Sequence, residues 1–482
     1  MGWKEAIEPV VTRMPSVRRP EGHVPFKRKL MWTTGVLMLY FFLTNITLFG
    51  LAGSAGDLYG QFQALLAAQQ GSLMQLGIGP IVTASIVLQL LSGADLLGLD
   101  TNDPRDQQIY QGLQKVLVLV MIALTGLPMV FLGGFLPASA KIGQALGVGT
   151  FGVNVIIFIQ IAIGGILVLY MDEVVSKWGV GSGVGLFIVA GVSQSLIAGL
   201  FYWGGGGGLG FLPWWINMIL GNIQTPPVLS SAGIEILLFG RGRIIALLTT
   251  IIIFVIVVYA ESVRVEIPLS HSQVKGARGR FPVKLIYASV LPMILVRALQ
   301  ANIQFLGRLL ASSYNLPNWL GVYSNGQPVS GLMYYLNPIQ SPTDWMWWLT
   351  GANPVPVLTR VAIDLTFMII GGAIFAVFWV ETANMGPEAT ARQIKNSGMQ
   401  IPGFRKNIGV IEKVMERYIP QVTVLGGALV GFLAVLANML GTIGGVSGTG
   451  LLLAISITYK LYEEIAEEQL MEMHPIMRQM FG

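Results

Sequence analysis

The stretch GSLMQLGIGPIVTASIVLQLLSG, residues 71–93, is long enough to cross a membrane but is poorly suited to facing lipid. Glycine and proline interrupt it near its start, and two hydroxyls and an amide follow where a lipid-facing helix carries only hydrocarbon. These residues are Gly77, Gly79, Pro80, Thr83, Ser85 and Gln89. The stretch therefore predicts a spanning helix that faces protein or water.

The segment immediately before it, DLYGQFQALLAAQQ, begins at Asp57 and ends at Gln70. Apolar side chains recur in it at helical spacing. They are Leu58, Phe62, Leu65 and Leu66. The segment is far shorter than the ~20 residues that a spanning helix needs. We expect a short helix that leads into a broken one.

The composition is that of an all-α polytopic membrane protein. Of the 482 residues, 53% are hydrophobic and 11% are charged, and the mean hydropathy is +0.67. A soluble domain of this size needs more charged surface. The chain has no cysteine, which excludes disulfides, thiolate metal sites and cysteine nucleophiles.

Ten apolar runs lie along the chain, and we predict that each crosses the membrane as a helix. They are residues 30–51, 73–93, 112–136, 146–170, 181–203, 243–261, 284–306, 361–381, 420–440 and 443–461. Residues 1–29 are basic and are not a cleaved signal peptide, so we expect them in the cytoplasm. An even number of spans returns the C-terminal tail, residues 462–482, to the cytoplasm.

The distribution of basic residues agrees with this topology. Of the 29 lysine and arginine residues, all but six lie in or beside the predicted cytoplasmic segments. The six are Lys141, Arg241, Arg243, Arg297, Arg308 and Arg360. Tryptophans concentrate in or beside the two long outer loops, as interfacial residues do.

Ten spans divide into five plus five, and an odd number in each half gives the halves opposite orientations, as in inverted-repeat membrane proteins. We assign residues 30–203 to the N-terminal half and residues 243–461 to the C-terminal half, joined by an outer loop at 204–242. The fifth and tenth spans both open with glycine-rich sequence, GVGSGVG from Gly179 and GTIGGVSGTG from Gly441. Paired broken helices in corresponding positions point to a central site.

Two basic loops stand out on the predicted cytoplasmic side, at residues 262–284 and 382–417. The plain interpretation is that they only fix topology. The alternative is a docking surface for a polyanion, such as RNA or a surface rich in headgroups. The residues alone favour the first interpretation.

Motifs for catalysis are missing from the sequence. The glycine run at 204–208 is followed by no Lys-Ser/Thr, and GVGSGVG follows no strand, so neither predicts a phosphate loop. His23, His271 and His474 lie far apart, without a spaced carboxylate partner, which argues against a metal or acid–base site. We therefore expect no cofactor, no metal and no enzymatic activity.

Charged residues inside spans are functional candidates by default. Arg360 and Asp364 are four apart on one predicted helix face, so we expect a local ion pair between them. Arg297 lies near the middle of the seventh span, and three interpretations stay open. In the first, its side chain lines an aqueous cavity. In the second, it pairs with a carboxylate on another helix, and in the third, it extends towards the membrane surface.

Several sequence blocks, taken in their order and spacing, resemble the pore-forming subunit of the SecY-type protein translocon in its archaeal and eukaryotic form. They are LGIGPIVTASIVLQLL (76–91), DEVVSKWGVGSGVGLFIVAGVSQ (172–194), YAESVRVEIPLSHSQVKG (259–276), FWVETANMGPE (378–388), GFRKN (403–407) and RYIPQVTVLGGALVGFLAVLAN (417–438). The resemblance covers essentially the whole chain. It implies a ten-helix bundle of two inverted halves around an hourglass pore, which opens across the membrane to polypeptides and sideways to lipid.

The resemblance also implies a pore constriction and a plug. Six apolar side chains at matching motif positions would form the constriction, and all six are branched aliphatics. They are Ile78, Val82, Val184, Ile188, Ile294 and Leu453. Residues 57–70 match the plug, a short helix that fills the outer funnel and moves aside when a substrate enters.

A lateral gate and a docking surface follow from the same resemblance. Thr83 and Asn302 match polar positions of the gate, where the second and third spans face the seventh and eighth. The basic loops match ribosome-docking loops, so docking now outweighs the topology-only interpretation. The expected contacts to ribosomal RNA phosphate are Arg278, Arg280, Arg405 and Lys406.

The expected function is a passive protein-conducting channel in the cell membrane, driven by a partner because the chain has no visible nucleotide site. The resemblance implies a SecE-type (gamma) subunit and a small beta-type subunit. It also implies the ribosome, the lipid bilayer, and secretory and membrane-protein nascent chains with signal sequences as partners. Two alternatives stay open, a secondary transporter for a small solute and a membrane scaffold that only docks ribosomes.

Arg297 departs from the family pattern, which has a small or apolar residue at that position. It lies three residues after Ile294, about 300° around a helix. We expect its side chain to point away from the pore constriction.

Overall fold

A computed structural model of the chain describes most of its length. The described residues are 9, 13–22, 24–53, 63, 65–93, 96–98, 104–132, 135–204, 208–223, 226–227, 230–240, 242–271, 278–284, 291–313, 317–324, 327–383, 385–396, 399–400 and 408–473.

The first half of the described chain is helical. Its helices are α1 (Phe26–Thr44), α2 (Gly79–Gly93), α3 (Pro104–Phe131), α4 (Ala140–Ala145), α5 (Gly149–Trp178) and α6 (Gly183–Phe201). The five predicted spans of this half each overlap one of the longer helices. Helix α5 continues to Trp178, eight residues past the predicted end of its span, so the polar DEVVSKW sequence is helical as well.

The second half combines helices with short strands. Its helices are α7 (Phe211–Ile219), α8 (Ser231–Leu238), α9 (Ile244–Ser262), α10 (Leu291–Ser313), α11 (Leu332–Tyr335), α12 (Pro342–Trp345), α13 (Trp347–Thr350), α14 (Pro354–Thr382), α15 (Pro387–Asn396), α16 (Ile408–Leu440) and α17 (Gly448–Met473). Its strands are β1 (Arg264–His271), β2 (Arg278–Lys284), β3 (Val322–Ser324), β4 (Gln327–Ser330) and β5 (Met399–Gln400). The remaining five predicted spans overlap α9, α10, α14, α16 and α17.

Six helices in the described part of the chain are both long enough and apolar enough to cross a membrane. They are α3, α5, α6, α9, α14 and α16. These six helices make the protein a multi-pass membrane protein. Helix α2 is shorter, with 15 residues, because the chain before it is not helical.

The strands correct the prediction of an all-α fold. Strands β1 and β2 form an antiparallel hairpin that pairs Arg264 with Lys284 and Ser270 with Arg278. Strand β5 adds to the free edge of β1, with Ser270 opposite Gln400. The two basic loops therefore meet in one three-stranded sheet, because their backbones pair even though they are far apart in sequence.

The sheet gives the bundle two distinguishable ends. We call the end that carries β1, β2 and β5 the hairpin face. The opposite end, which carries residues 317–350 with the β3–β4 hairpin, is the cap face. At the hairpin face, α17 is tied to the sheet by an ion pair between Arg264 Nη2 and Glu463 Oε1 at 3.0 Å, and Lys284 also contacts Glu463. Lys29 of α1 contacts Glu468 of the same helix.

Glycines allow α14 and α16 to pack backbone against backbone. A Cβ atom at Gly427 would lie 2.5 Å from the carbonyl oxygen of Gly372, and one at Gly431 would lie 2.3 Å from that of Met368. Small residues at helix contacts permit this approach in membranes, where packing rather than hydrophobicity holds helices together. The two helices therefore form a rigid pair within the C-terminal half.

The segment before α2 differs from the prediction. Residues 65–67 form a turn rather than the end of a helix, and Ala67 has a φ of +50°. Residues 71–78 are also turns, so the helix begins at Gly79 and not at residue 73. The cause is Gly77, whose φ of +53° no helix accommodates.

Gly77 allows the chain to fold back on itself. A Cβ atom there would lie 2.2 Å from the carbonyl oxygen of Leu66. The Ile78 amide donates to that same oxygen at 2.8 Å. A side chain at residue 77 would therefore clash with the contact that closes the turn.

We predict that Gly77→Ala lowers the free energy of unfolding by about 1–3 kcal/mol, because alanine disfavours this φ and its Cβ displaces Leu66. The measurement is the thermal unfolding midpoint of the purified protein in detergent. Gly79→Ala is the matched control, since Gly79 has no atom within 4 Å of an added Cβ. Equal midpoints for the two variants would contradict the prediction.

Candidate functional site

The described end of the plug segment sits in the apolar core. Leu65 and Leu66 are buried, and the Leu66 carbonyl accepts from Ile78 as described above. The Tyr40 hydroxyl of α1 donates to the Ala67 carbonyl at 3.2 Å. The Tyr40 ring stacks on Phe187 of α6, with 5.1 Å between ring centroids. Helices α1 and α6 therefore hold the plug segment by one side-chain hydrogen bond and apolar contact.

The six predicted constriction residues belong to the same apolar core. Ile78, Ile188 and Leu453 are fully buried, and Val82 and Ile294 are nearly so. Val184 is half-buried and packs against them. They come from the residue before α2 and from α2, α6, α10 and α17, so distant parts of both halves converge here.

Two cavities lie on opposite sides of these residues. A cavity of about 330 Å³ opens towards the hairpin face and is lined by Val82, Val184 and Ile294 together with polar residues such as Ser182. A second cavity, of about 270 Å³, lies nearer the cap face. It is lined by plug residues, α6 and the turn before α17, including Gln63, Ala67, Gln194 and Gly444. The apolar set therefore lies between two partly polar cavities.

The predicted gate residues are in direct contact. Asn302 Nδ2 of α10 donates to Thr83 Oγ1 of α2 at 3.0 Å, across 219 positions of sequence. The Thr83 hydroxyl in turn donates to the Gly79 carbonyl at 2.9 Å. The structure thus joins α2 of one half to α10 of the other through a neutral side-chain hydrogen bond. The role of this pair in gating stays a prediction.

The other polar residues of α2 also face protein. Gln114 Nε2 of α3 donates to Ser85 Oγ at 2.9 Å. Gln89 is buried, and it lines the cavity on the hairpin face. The prediction that this helix faces protein or water rather than lipid is confirmed.

Arg297 is paired with a carboxylate on another helix, which decides among the three interpretations. Its Nη1 lies 3.4 Å from Asp364 Oδ1 of α14, and its side chain is fully buried. Arg297 Nε also donates to Thr449 Oγ1 of α17 at 2.9 Å. The side chain therefore points into the C-terminal half, and its direction relative to the constriction stays a prediction.

The predicted ion pair between Arg360 and Asp364 is wrong. Arg360 Nε donates to the Asn337 carbonyl and its Nη2 to the Pro338 carbonyl, both at 2.8 Å. Asp364 bonds Arg297 instead. Spacing of four residues places two side chains on one helix face, but here each finds a partner on another element.

The predicted docking residues are only partly described. Arg278 and Arg280 lie on β2, opposite Ser270 and Pro268 of β1. Arg405 and Lys406, and the plug residues Asp57, Leu58 and Phe62, lie outside the described residues.

The end of α17 near the sheet is acidic. Within residues 462–468 it carries Glu463, which binds the hairpin, and the three further glutamates Glu464, Glu467 and Glu468. Burial raises the pKa of Glu464, and the neighbouring carboxylates of Glu467 and Glu468 also raise it. This end of the bundle therefore offers both signs of charge within a few residues.

Within the described ranges, no group of three or more His, Cys, Asp or Glu side chains is placed to hold a metal ion. Sequence reasoning missed Tyr40, Gln300 and Thr449. Each is an ordinary residue for its helix, and only the contacts from other elements reveal what it binds.

Comparison with known proteins identifies the family. The SecY family profile matches residues 72–462, and the profile described as the plug domain of Sec61p matches residues 38–71. The protein translocase subunit SecY of Halobacterium salinarum is 73% identical over 489 residues, covering 100% of this chain and 99% of the relative. The same subunit of Haloferax volcanii is 71% identical over 488 residues, and the match covers 100% of this chain and 100% of the relative.

Solved structures agree with this assignment. A protein-conducting channel that is 36% identical superposes with a TM-score of 0.81, covering 97% of this chain and 98% of that chain. Sec61 from the canine ribosome-channel complex of the endoplasmic reticulum, also 36% identical, superposes with a TM-score of 0.78 at the same coverage. This chain therefore belongs to the SecY family of protein-conducting channels and includes the family's plug domain.

Proposed function

We propose that Ile78, Val82, Val184, Ile188, Ile294 and Leu453 form the constriction of a passive channel for polypeptides. The channel consists of ten membrane helices in two inverted halves of five around a central pore. The observation that carries this proposal is an entirely apolar set of side chains, five buried and one half-buried, between two partly polar cavities. A secreted polypeptide crosses the membrane through this set.

The constriction must block ions at rest and still open for a polypeptide, and its side-chain chemistry suits both tasks. A narrow ring of aliphatic side chains loses its water, so hydrated ions do not cross it at rest. The same side chains offer no charge and no fixed hydrogen bond that would retain a passing chain. Substrates of different sequence therefore meet the same weak resistance.

The plug, residues 57–70, closes the outer funnel at rest. Its described part is held by hydrogen bonds at Leu66, Ala67 and Gln69 and by apolar burial. Among the described residues these contacts include no ion pair. Each main-chain hydrogen bond contributes about 1 kcal/mol. A plug held in this way is displaced when a substrate makes contacts of comparable strength in its place.

The gate between α2 and α10 opens sideways to lipid. Its closure depends on the Thr83–Asn302 hydrogen bond and the packing around it. An apolar signal sequence at this seam replaces a polar contact by hydrocarbon contact, and it then passes into the bilayer. Membrane proteins are inserted by the same movement.

The hairpin face binds the ribosome and is cytoplasmic, as are both termini. The shared sheet of the two basic loops supports this, because it brings the backbones of both loops to one end of the bundle. Arg278, Arg280, Arg405 and Lys406 contact ribosomal RNA phosphate. The ribosome or another partner supplies direction, a SecE-type subunit clamps the halves, and a beta-type subunit completes the complex in the cell membrane.

The alternative of a small-solute transporter is less well supported. Transporter sites near the membrane centre use half-helix ends, carbonyls or charges to bind the solute. The six central residues here are aliphatic, and the buried charge that follows Ile294 on α10, Arg297, is already paired. We likewise propose no catalytic activity, because the six central side chains are hydrocarbon.

The constriction can be tested by cross-linking, because the native chain has no cysteine. We expect single cysteines at Ile78 or Val184, coupled to a photoactivated probe, to capture a stalled secretory nascent chain. A cysteine at Val255 is the control, because that side chain on α9 is 60% exposed at the outside of the bundle. Capture at neither central position during active transport would contradict the channel, and ribosome binding without capture would indicate a scaffold.

The gate pair can be tested by a double-mutant cycle. We expect Thr83→Val and Asn302→Leu each to destabilise the closed gate by about 1 kcal/mol, because each removes the same hydrogen bond. Transport of a substrate with a shortened apolar signal core then rises about fivefold in each variant, and no further in the double variant. Ser85→Ala is the control, since Ser85 binds α3 rather than α10. Additive effects would show that the two residues act separately.

Docking can be tested by charge reversal. We expect Arg278→Glu with Arg280→Glu to weaken ribosome binding and to reduce its salt dependence by about 0.7–0.9 in the logarithmic slope for each phosphate that is no longer bound. Lys141→Glu is the control, because Lys141 is an exposed lysine on α4 towards the other face. Unchanged affinity and slope would argue against a phosphate contact at β2.

A further inference from the structure

Arg297 lies at the centre of a buried polar network that joins three helices. Its Nη1 donates to Gln300 Oε1 at 2.6 Å and approaches Asp364 of α14. Its Nε donates to Thr449 of α17. Because Arg297 belongs to α10, one guanidinium connects α10 to two other helices of the C-terminal half.

The same network reaches the cap face. Asp364 Oδ2 accepts from the Ile339 amide at 3.3 Å, and Gln300 Nε2 donates to the Leu336 carbonyl at 3.0 Å. One turn away, Arg360 donates to the Asn337 and Pro338 carbonyls. The loop after α11 is therefore bound to α10 by the neutral Gln300 and to α14 by Asp364 and Arg360, whose charge strengthens their hydrogen bonds.

Helix α10 is held very differently on its two sides. Asn302 lies five residues after Arg297, about 140° around the helix, so the two side chains leave α10 in divergent directions. On the Asn302 side one neutral hydrogen bond joins α10 to α2. On the Arg297 side an ion pair and charge-assisted hydrogen bonds, all buried, join it to α14 and α17.

Stability alone does not account for this network. A buried ion pair recovers in attraction roughly what it loses in hydration, and neutral replacements are often as stable. Among the described residues, Arg297 Nη2 also lacks any partner, so the guanidinium is not fully satisfied. Directional bonds of this kind instead fix one arrangement of the helices they join.

We propose that Arg297 is a positioning residue that makes α10 move with α14 and α17, so that the bundle opens only at the Thr83–Asn302 seam. The residue also sets the register of the constriction, since Ile294 lies three residues before it and Leu453 lies four residues after Thr449. The proposal rests on the proposed gate.

The first test locks α10 to α14. A Cβ atom at Gly371 of α14 would lie 3.8 Å from the Cβ of Val296 on α10, which is the spacing of a disulfide. The cysteine-free chain allows Val296→Cys with Gly371→Cys to be oxidised without other thiols. We expect the oxidised protein to transport a secretory substrate at the rate of the reduced protein. A block that reductant relieves would overturn the proposal.

The second test removes the network without leaving an unpaired charge. Arg297→Met with Asp364→Asn is neutral, and the asparagine oxygen still accepts from the Ile339 amide. We expect a thermal midpoint within a few degrees of the native protein, together with severalfold higher ion leak at rest and severalfold higher transport of a substrate with a weakened signal. Arg297→Met alone should lower the midpoint, because Asp364 is then buried without its partner.

The two tests combine in a rescue experiment. Oxidation of the 296–371 cysteine pair in the neutral double variant should restore the native leak and signal requirement, because it replaces the missing tie between α10 and α14. Native leak and native signal requirement in the double variant before oxidation would show that Arg297 is merely structural. A fall in leak would show that Arg297 lines the pore, which also overturns the proposal. Substrate capture at Ile78 in the native chain tests the channel itself independently of these outcomes.

Discussion

A hydrogen bond from the Ile78 amide to the Leu66 carbonyl fixes the plug segment to the apolar centre of the bundle, and it forms because residue 77 has no side chain. Through the turn at Gly77 the chain folds back onto the Leu66 carbonyl just before α2 begins at Gly79. One cavity then lies beside the plug, and the other begins at Val82 on the far side of the centre. The separation of the two cavities depends on this turn.

The contacts around the centre differ in strength in a way that suits a channel. The plug and the α2–α10 seam are held mainly by neutral hydrogen bonds, each worth about 1 kcal/mol. The α14–α16 pair is held by close backbone packing at Gly372 and Gly427, and α10 is joined to that pair by Arg297 through Asp364. The weak contacts lie where a substrate must pass, and the strong ones lie within the C-terminal half.

The sequence predicts the helices well because hydropathy depends on composition within one segment. All ten predicted spans overlap helices, but their ends differ by several residues, since caps and local turns decide them. The break before α2 was visible in its glycines, whereas the turn at residues 65–67 was not, because apolar spacing there still fits a helix. The sheet shared by the two basic loops was also missed, because it depends on pairing between β1 and β5 across more than a hundred residues.

Side-chain partners were harder to predict than helices. The rule of four-residue spacing assigned Asp364 to Arg360, but the structure gives it to Arg297, 67 residues away. Spacing identifies only neighbours on one helix. The partner of a buried carboxylate is whichever donor the packed bundle brings close to it. The contact of Thr83 with Asn302 was anticipated only through family resemblance, because nothing local to either residue indicates the other.

The position of the buried charge completes the physical argument. A guanidinium within the membrane needs partners, and those partners would bind a passing polypeptide if they faced the pore. Arg297 instead turns its donors towards Gln300, Asp364 and Thr449, while Ile294, one turn earlier on the same helix, belongs to the apolar centre. One helix thus carries a directional, polar attachment at Arg297 and, one turn earlier, an apolar side chain of the centre. The attachment can be strong because no substrate contacts it. The apolar centre can bind a passing polypeptide weakly because the attachment holds its side chains in place.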